Sequence, residues 1–180
     1  MKKVFKFPRM SHRDVCTAAI LIAITVVLAI YGTFRIGNAI KIPIKFVSVF
    51  ITAYFFGPWV GGICGALGDI LNALIVPVGA WLPQLTLLEF LSGFIYGMLF
   101  YKRKCDGIGY ILRAVLCTVL LFLTDMFLTT AALTQAGYFA SFEVGFSVRI
   151  AAGIIKALLQ MIVLVAGCGY LHLFDSIRGK

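Results

Sequence analysis

The chain has 180 residues, of which 62% are hydrophobic and 13% charged, with a mean hydropathy of +1.04 and a formal net charge of +9. No polar stretch is long enough for a soluble domain, so the sequence describes an integral membrane protein and argues against catalysis in water or ATP hydrolysis by this chain alone. The basic residues bracket apolar segments without stacking aromatics in a polar context, which suits membrane topology; no nucleic-acid partner is expected.

A basic head (Lys2, Lys3, Lys6, Arg9, Arg13) precedes a first span over residues 15–31, with Cys16, Ala19 and Ala23 on one small-residue face. This run is longer than a signal-peptide core of about 7–15 residues and no small-x-small site follows it, so it reads as a retained span. A polar, basic connection carrying Arg35 and Lys41 leads to a shorter second span over 42–56, which begins with Pro43 and includes Lys45. After Gly57-Pro58 comes the span around which the others should pack, residues 58–76. Gly61, Gly65 and Gly68 fall at i, i+4 and i+7, a face of nearly bare backbone that Asp69 and Asn72 extend. A charge facing lipid costs at least ~2.5 kcal/mol, so this face must look onto other helices or a wet cavity.

A short connection with Trp81 and Gln84 opens the fourth span, 85–101, where Glu89, Ser92, Gly93, Tyr96 and Gly97 share one face. The basic cluster Lys102-Arg103-Lys104 separates it from a fifth span over 111–133 that carries Asp125 and Thr129. A linker over 134–143 gives way to the last span, 144–171, with Arg149, Gly153, Lys156 and Gln160 on one face. Six spans place both termini on one side, and eleven Lys and Arg there against four on the other make that side cytoplasmic. The expected fold is an all-α bundle of six transmembrane helices in a single domain. Five cysteines (Cys16, Cys64, Cys105, Cys117, Cys168) contain no C-x-x-C pair and read as small apolar residues, so neither a metal nor another cofactor is expected.

Counting ~1.5 Å per helical residue puts Asp69, Glu89, Asp125 and Lys156 about 10–14 Å below the outer face. Ionisable groups from four helices at one level suggest a binding cavity open to the outside, reached by Arg35, Lys45, Asn72, Trp81, Gln84 and Arg149. The plainer alternatives are that the acids and Lys156 pair as interhelical glue, that Arg35, Lys41 and Lys45 belong to a solvated loop, and that Trp81 is an interface anchor. Asp69 and Asp125 could also form an intramembrane protease dyad, but Ala66-Leu67-Gly68-Asp69 and Thr124-Asp125 lack the G-x-G-D and Y-D signatures that dyad needs.

Gly57-Pro58-Trp59-Val60-Gly61-Gly62, Gly65-Ala66-Leu67-Gly68-Asp69, Leu82-Pro83-Gln84-Leu85-Thr86-Leu87 and Leu91-Ser92-Gly93-Phe94-Ile95-Tyr96-Gly97 occur in an order and spacing that resembles the folate-family substrate-binding (S) components of energy-coupling-factor (ECF) vitamin transporters. The resemblance is densest over 35–102. It implies a six-helix protein of a bacterial plasma membrane that captures a vitamin, folate or a related pterin, beneath its outer loops. It also implies docking on a transmembrane coupling (T) protein driven by two ABC ATPases, with Ala19 and Ala23 matching the family's Ala-x-x-x-Ala docking face. The chain departs from the family pattern at Pro83-Gln84-Leu85-Thr86-Leu87-Leu88-Glu89 and around Asp125. A different water-soluble vitamin and a self-sufficient small permease stay open as alternatives. The chain has no G-x-x-x-x-G-K-[ST] loop, in keeping with ATP hydrolysis on separate subunits.

Overall fold

Apolar runs that satisfy their own backbone hydrogen bonds dominate the chain, as a span in lipid requires. The computed structural model describes residues 11–36, 40–76, 82–103 and 107–178, with side chains described outside 33–43 and 168–178. Helix α1 (His12–Tyr31) starts where the Ser11 N–H donates to Asp14 Oδ2 at 3.0 Å, tying down its first turn. Strands β1 (Thr33–Ile36) and β2 (Ile40–Pro43) then pair antiparallel with Arg35 opposite Lys41. Helices α2 (Phe46–Phe56), α3 (Pro58–Ile75) and α4 (Pro83–Phe100) follow. Helix α5 (Gly107–Thr124) runs through a π-helical turn (Asp125–Thr129) into α6 (Thr130–Gln135) as one apolar rod over Gly107–Gln135, and α7 (Phe142–Arg178) closes the chain.

Among the described residues, five of these rods are long and apolar enough to cross a membrane, and α2 is the exception. At 11 residues α2 measures about 16 Å, roughly half of a ~30 Å hydrocarbon layer. The expected second span began at residue 42, but β2 takes residues 40–43, and the Ile44 N–H extends the hairpin by donating to Gly32 O at 3.1 Å. The helix therefore starts later and deeper. The fifth span reaches 107–135, longer than the expected 111–133, and the last helix runs over 142–178, with its apolar span over Phe142–Gly167, against the expected 144–171.

Helix α3 packs against α1, α2 and α4, whereas α5 and the π turn pack on α4 and α7 packs on them, so the spans gather around α3 in the first half of the chain and not, as expected, throughout. Gly57, at φ +94, makes the left-handed turn between α2 and α3, a conformation open to glycine at no steric cost, and Pro58 starts α3 where no N–H is missed. Between α3 and α4 the backbones touch. A Cβ at Gly93 would meet the Gly61 carbonyl oxygen, and one at Gly65 would meet that of Glu89. Gly61, Gly65 and Gly68 are all buried, as their spacing predicts. Helices α1, α2 and α3 are pinned by a buried polar knot in which Thr25 Oγ1 donates to Ser48 Oγ at 2.9 Å and Cys64 Sγ donates to Thr52 Oγ1 at 3.6 Å.

One half of the bundle is filled by aromatic rings. Phe50 packs edge-on against Tyr96 and Phe100, Phe100 lies against Tyr110, and the Tyr110 hydroxyl donates to Leu164 O at 2.6 Å. The other half, toward the hairpin, is hollow. Leucines, isoleucines and valines such as Ile20, Leu112 and Ile162 cover the outside of the rods, the pattern of a surface solvated by lipid.

Candidate functional site

The hollow is a cavity of about 390 Å³, walled by α3 and α4 on one side and by the π turn and α7 on the other. A chamber of about 40 Å³ continues from it toward the aromatic plug, past Ser92, Tyr96 and Gln160. The main volume falls within the ~300–1,000 Å³ typical of small-molecule sites.

Each wall owes its chemistry to helical spacing. Asp69 and Asn72 lie one turn apart on α3, and Leu85, Leu88 and Glu89 line one stripe of α4. Arg149, Ala152, Gly153 and Lys156 do the same on α7. A Cβ at Gly153 would strike the Met126 side chain, so this glycine lets the π turn come close between the two cations. The π turn adds a residue to one helical circuit and keeps both Asp125 and Thr129 on the cavity side.

Two charge clusters face each other. In the first, Lys45 Nζ lies 2.9 Å from Glu89 Oε1 and 3.5 Å from Asp69 Oδ1, while Thr86 Oγ1 donates to Asp69 Oδ2 at 2.9 Å. In the second, Asp125 Oδ2 is 3.2 Å from Lys156 Nζ and 3.7 Å from Arg149 Nη2, and Asp125 Oδ1 accepts from Thr129 Oγ1 at 2.9 Å. Arg149 Nη1 also donates to Thr130 Oγ1 at 3.4 Å. The paired side chains are between 11% and 30% exposed, so they are withdrawn from lipid yet still reach the cavity. At the deep end Gln160 Nε2 donates to the Tyr96 hydroxyl.

Seven of the ten expected site residues therefore meet here: Lys45, Asp69, Asn72, Glu89, Asp125, Arg149 and Lys156. The acids also pair with cations, as the interhelical-glue alternative has it, so pairing and cavity lining coexist. Lys45 is 11% exposed and not part of a solvated loop, because the late start of α2 lowers it into the bundle. Gln84 does not line the cavity; it is exposed in the first turn of α4. Arg35 sits on β1 with its side chain outside the described ones, and Trp81 lies outside the described residues. Ala19 and Ala23 are exposed on the outer face of α1. Cys64 and Cys117 are buried as expected, whereas Cys16 is exposed; Cys105 and the Cys168 side chain lie outside what is described.

The sequence reading missed the hydroxyls of Thr86 and Thr130 as partners of charged groups. Their signal was the company of Glu89 one turn later and of Thr129 one residue earlier, but a threonine in a span more often bonds its own helix, as Thr118 does here. Among the described residues no group of three His, Cys, Asp or Glu side chains comes together to hold a metal.

Residues 13–166 match the family model described as ECF transporter, substrate-specific component. Over 85 residues the chain is 39% identical to the folate transporter FolT of Clostridium novyi (strain NT), a match that spans 47% of this chain and 49% of that relative. The folate transporter FolT of Streptococcus mutans is 26% identical over 170 residues, 91% of each protein. A solved structure titled as FolT bound with folic acid superposes with a TM-score of 0.74 at 26% identity, covering 90% of this chain and 93% of that one.

Proposed function

The chain belongs to the family of ECF transporter substrate-specific components, and from that premise we propose that its cavity captures folate or a related pterin from the outer side of a bacterial plasma membrane. The relatives named as folate transporters and the solved neighbour holding folic acid support this reading. The observation that carries it is the polarity of the cavity: two carboxylates on α3 and α4 face two cations on α7.

A pterin ring offers adjacent N–H donors, and a carboxylate has about four lone-pair positions. Glu89, tied by Lys45, and Asp69, tied by Lys45 and Thr86, keep acceptor capacity for such an edge. Asn72 adds an amide at the same wall. Across the cavity, Arg149 and Lys156 hold the anionic tail, with Arg35 proposed as a further partner of the tail and Trp81 as the cover of the ring; Gln84, exposed and off the cavity lining, is given no contact. Leu85, Leu88 and Met126 supply the apolar surface on which a flat ring lies.

Delivery would follow docking of the exposed Ala19 and Ala23 face on a transmembrane coupling protein powered by two ABC ATPases, with the termini on the cytoplasmic side. In nanodiscs, the purified chain should bind labelled folic acid saturably, one molecule per chain, and mass spectrometry of the untreated protein should find a pterin. Recovery of another vitamin, with no competition by folic acid, would overturn the assignment.

A further inference from the structure

Resting on the folate reading above, we infer that Asp125 sets how many carboxylates the ligand's tail can carry. The walls of the cavity differ in charge. Lys45 with Asp69 and Glu89 gives the α3–α4 wall a formal charge of −1, and Asp125 with Arg149 and Lys156 gives the α7 wall +1. Without Asp125 that second wall would carry +2.

Its carboxylate is built into position. The π turn keeps it on the cavity side, Thr129 fixes Oδ1, and Oδ2 occupies the place between Lys156 and Arg149 that a ligand carboxylate would take. The titratable groups within bonding distance of it are these two cations; the other side chains beside it at this wall are the hydroxyls of Thr129 and Thr130, the apolar Met126 and the glycine at 153. Asp125 thus acts as a resident tail group. A ligand with one carboxylate balances the remaining positive charge, and a second carboxylate enters a wall that has none left to offer. Asp125 therefore narrows the margin by which a pteridine ending in two carboxylates is held over one ending in a single carboxylate.

The test compares folic acid, whose glutamate tail carries two carboxylates, with pteroic acid, the same ring system ending in one, on the full chain in nanodiscs. Asp125→Asn should raise the ratio of folic to pteroic affinity on the order of tenfold. Lys156→Gln, which leaves Asp125 in place, should lower it, and Asp125→Asn combined with Lys156→Gln should return it to the unaltered value. An unchanged ratio in either single variant, or a ratio still raised in the double variant, overturns the role of Asp125 while folate capture stands. Failure of the unaltered chain to bind either compound overturns the folate reading and this inference together.

Discussion

Lys45 Nζ stands 2.9 Å from Glu89 Oε1, so the residue that caps the start of α2 is fastened to the second turn of α4. The same ammonium reaches Asp69 on α3, and one cation thereby holds three elements together at the cavity wall. Breaking a fully buried pair by removing one partner costs ~3–5 kcal/mol, and the partial exposure of these side chains makes the cost smaller here.

Replacing Lys45 by methionine leaves Asp69 and Glu89 facing each other without a counter-ion. The expected result is a lower Tm in scanning fluorimetry of the detergent-solubilised protein, partly restored when Glu89→Gln is added. An additive loss in the double variant would show that the carboxylates do not repel.

Asp69→Asn and Arg149→Gln each remove a charge from opposite walls of the cavity. Losing one partner of a desolvated charged hydrogen bond costs about 2–5 kcal/mol, so each variant should weaken folic acid binding by tenfold or more. Equilibrium binding of labelled ligand checks this, and unaltered affinity in both would remove these residues from the site.

Gly93 has no room for a side chain, because a Cβ there would meet Gly61 O. Gly93→Val forces α3 and α4 apart and should destabilise the protein by ~1–3 kcal/mol or more. Size-exclusion profiles and Tm measure the effect; Gly107→Ala, at a glycine with nothing within 4 Å, is the comparison for local backbone strain.

Tryptophan at Ala19 or Ala23 changes only the exposed face of α1. Folic acid binding by the isolated chain should persist, while co-purification with a coupling protein and ATP-driven uptake in proteoliposomes should fall. Uptake at the unaltered rate would place the partner elsewhere.

Much of this arrangement could be read before any fold was known, because membrane spans write their packing into residue size. The glycines of α3 marked the face that a neighbouring helix could approach, and acids stranded in apolar runs named the cavity wall. Lys45 was harder to place. The apolar run from 42 to 56 looks continuous, and Pro43 suits a helix start as well as a strand end, so the depth of Lys45 hung on where pairing yields to helix. The hairpin did leave a trace: Phe34 and Ile36 alternate with Arg35, as Ile40 and Ile42 do with Lys41. The π turn left none, since a period of 3.6 assumed throughout α5 hides one widened circuit, and that circuit decides which way Asp125 looks.

The seam between Gly61 and Gly93 joins main chain to main chain, with no side chain that could change rotamer and let the helices slide. Asp69 lies eight residues beyond Gly61 and Glu89 four before Gly93, and Gly65 meets the Glu89 carbonyl between them, so the spacing of the two helices that carry these carboxylates is set by main chain. A ligand that needs these two helices farther apart must part backbone from backbone, so this wall of the cavity resists widening.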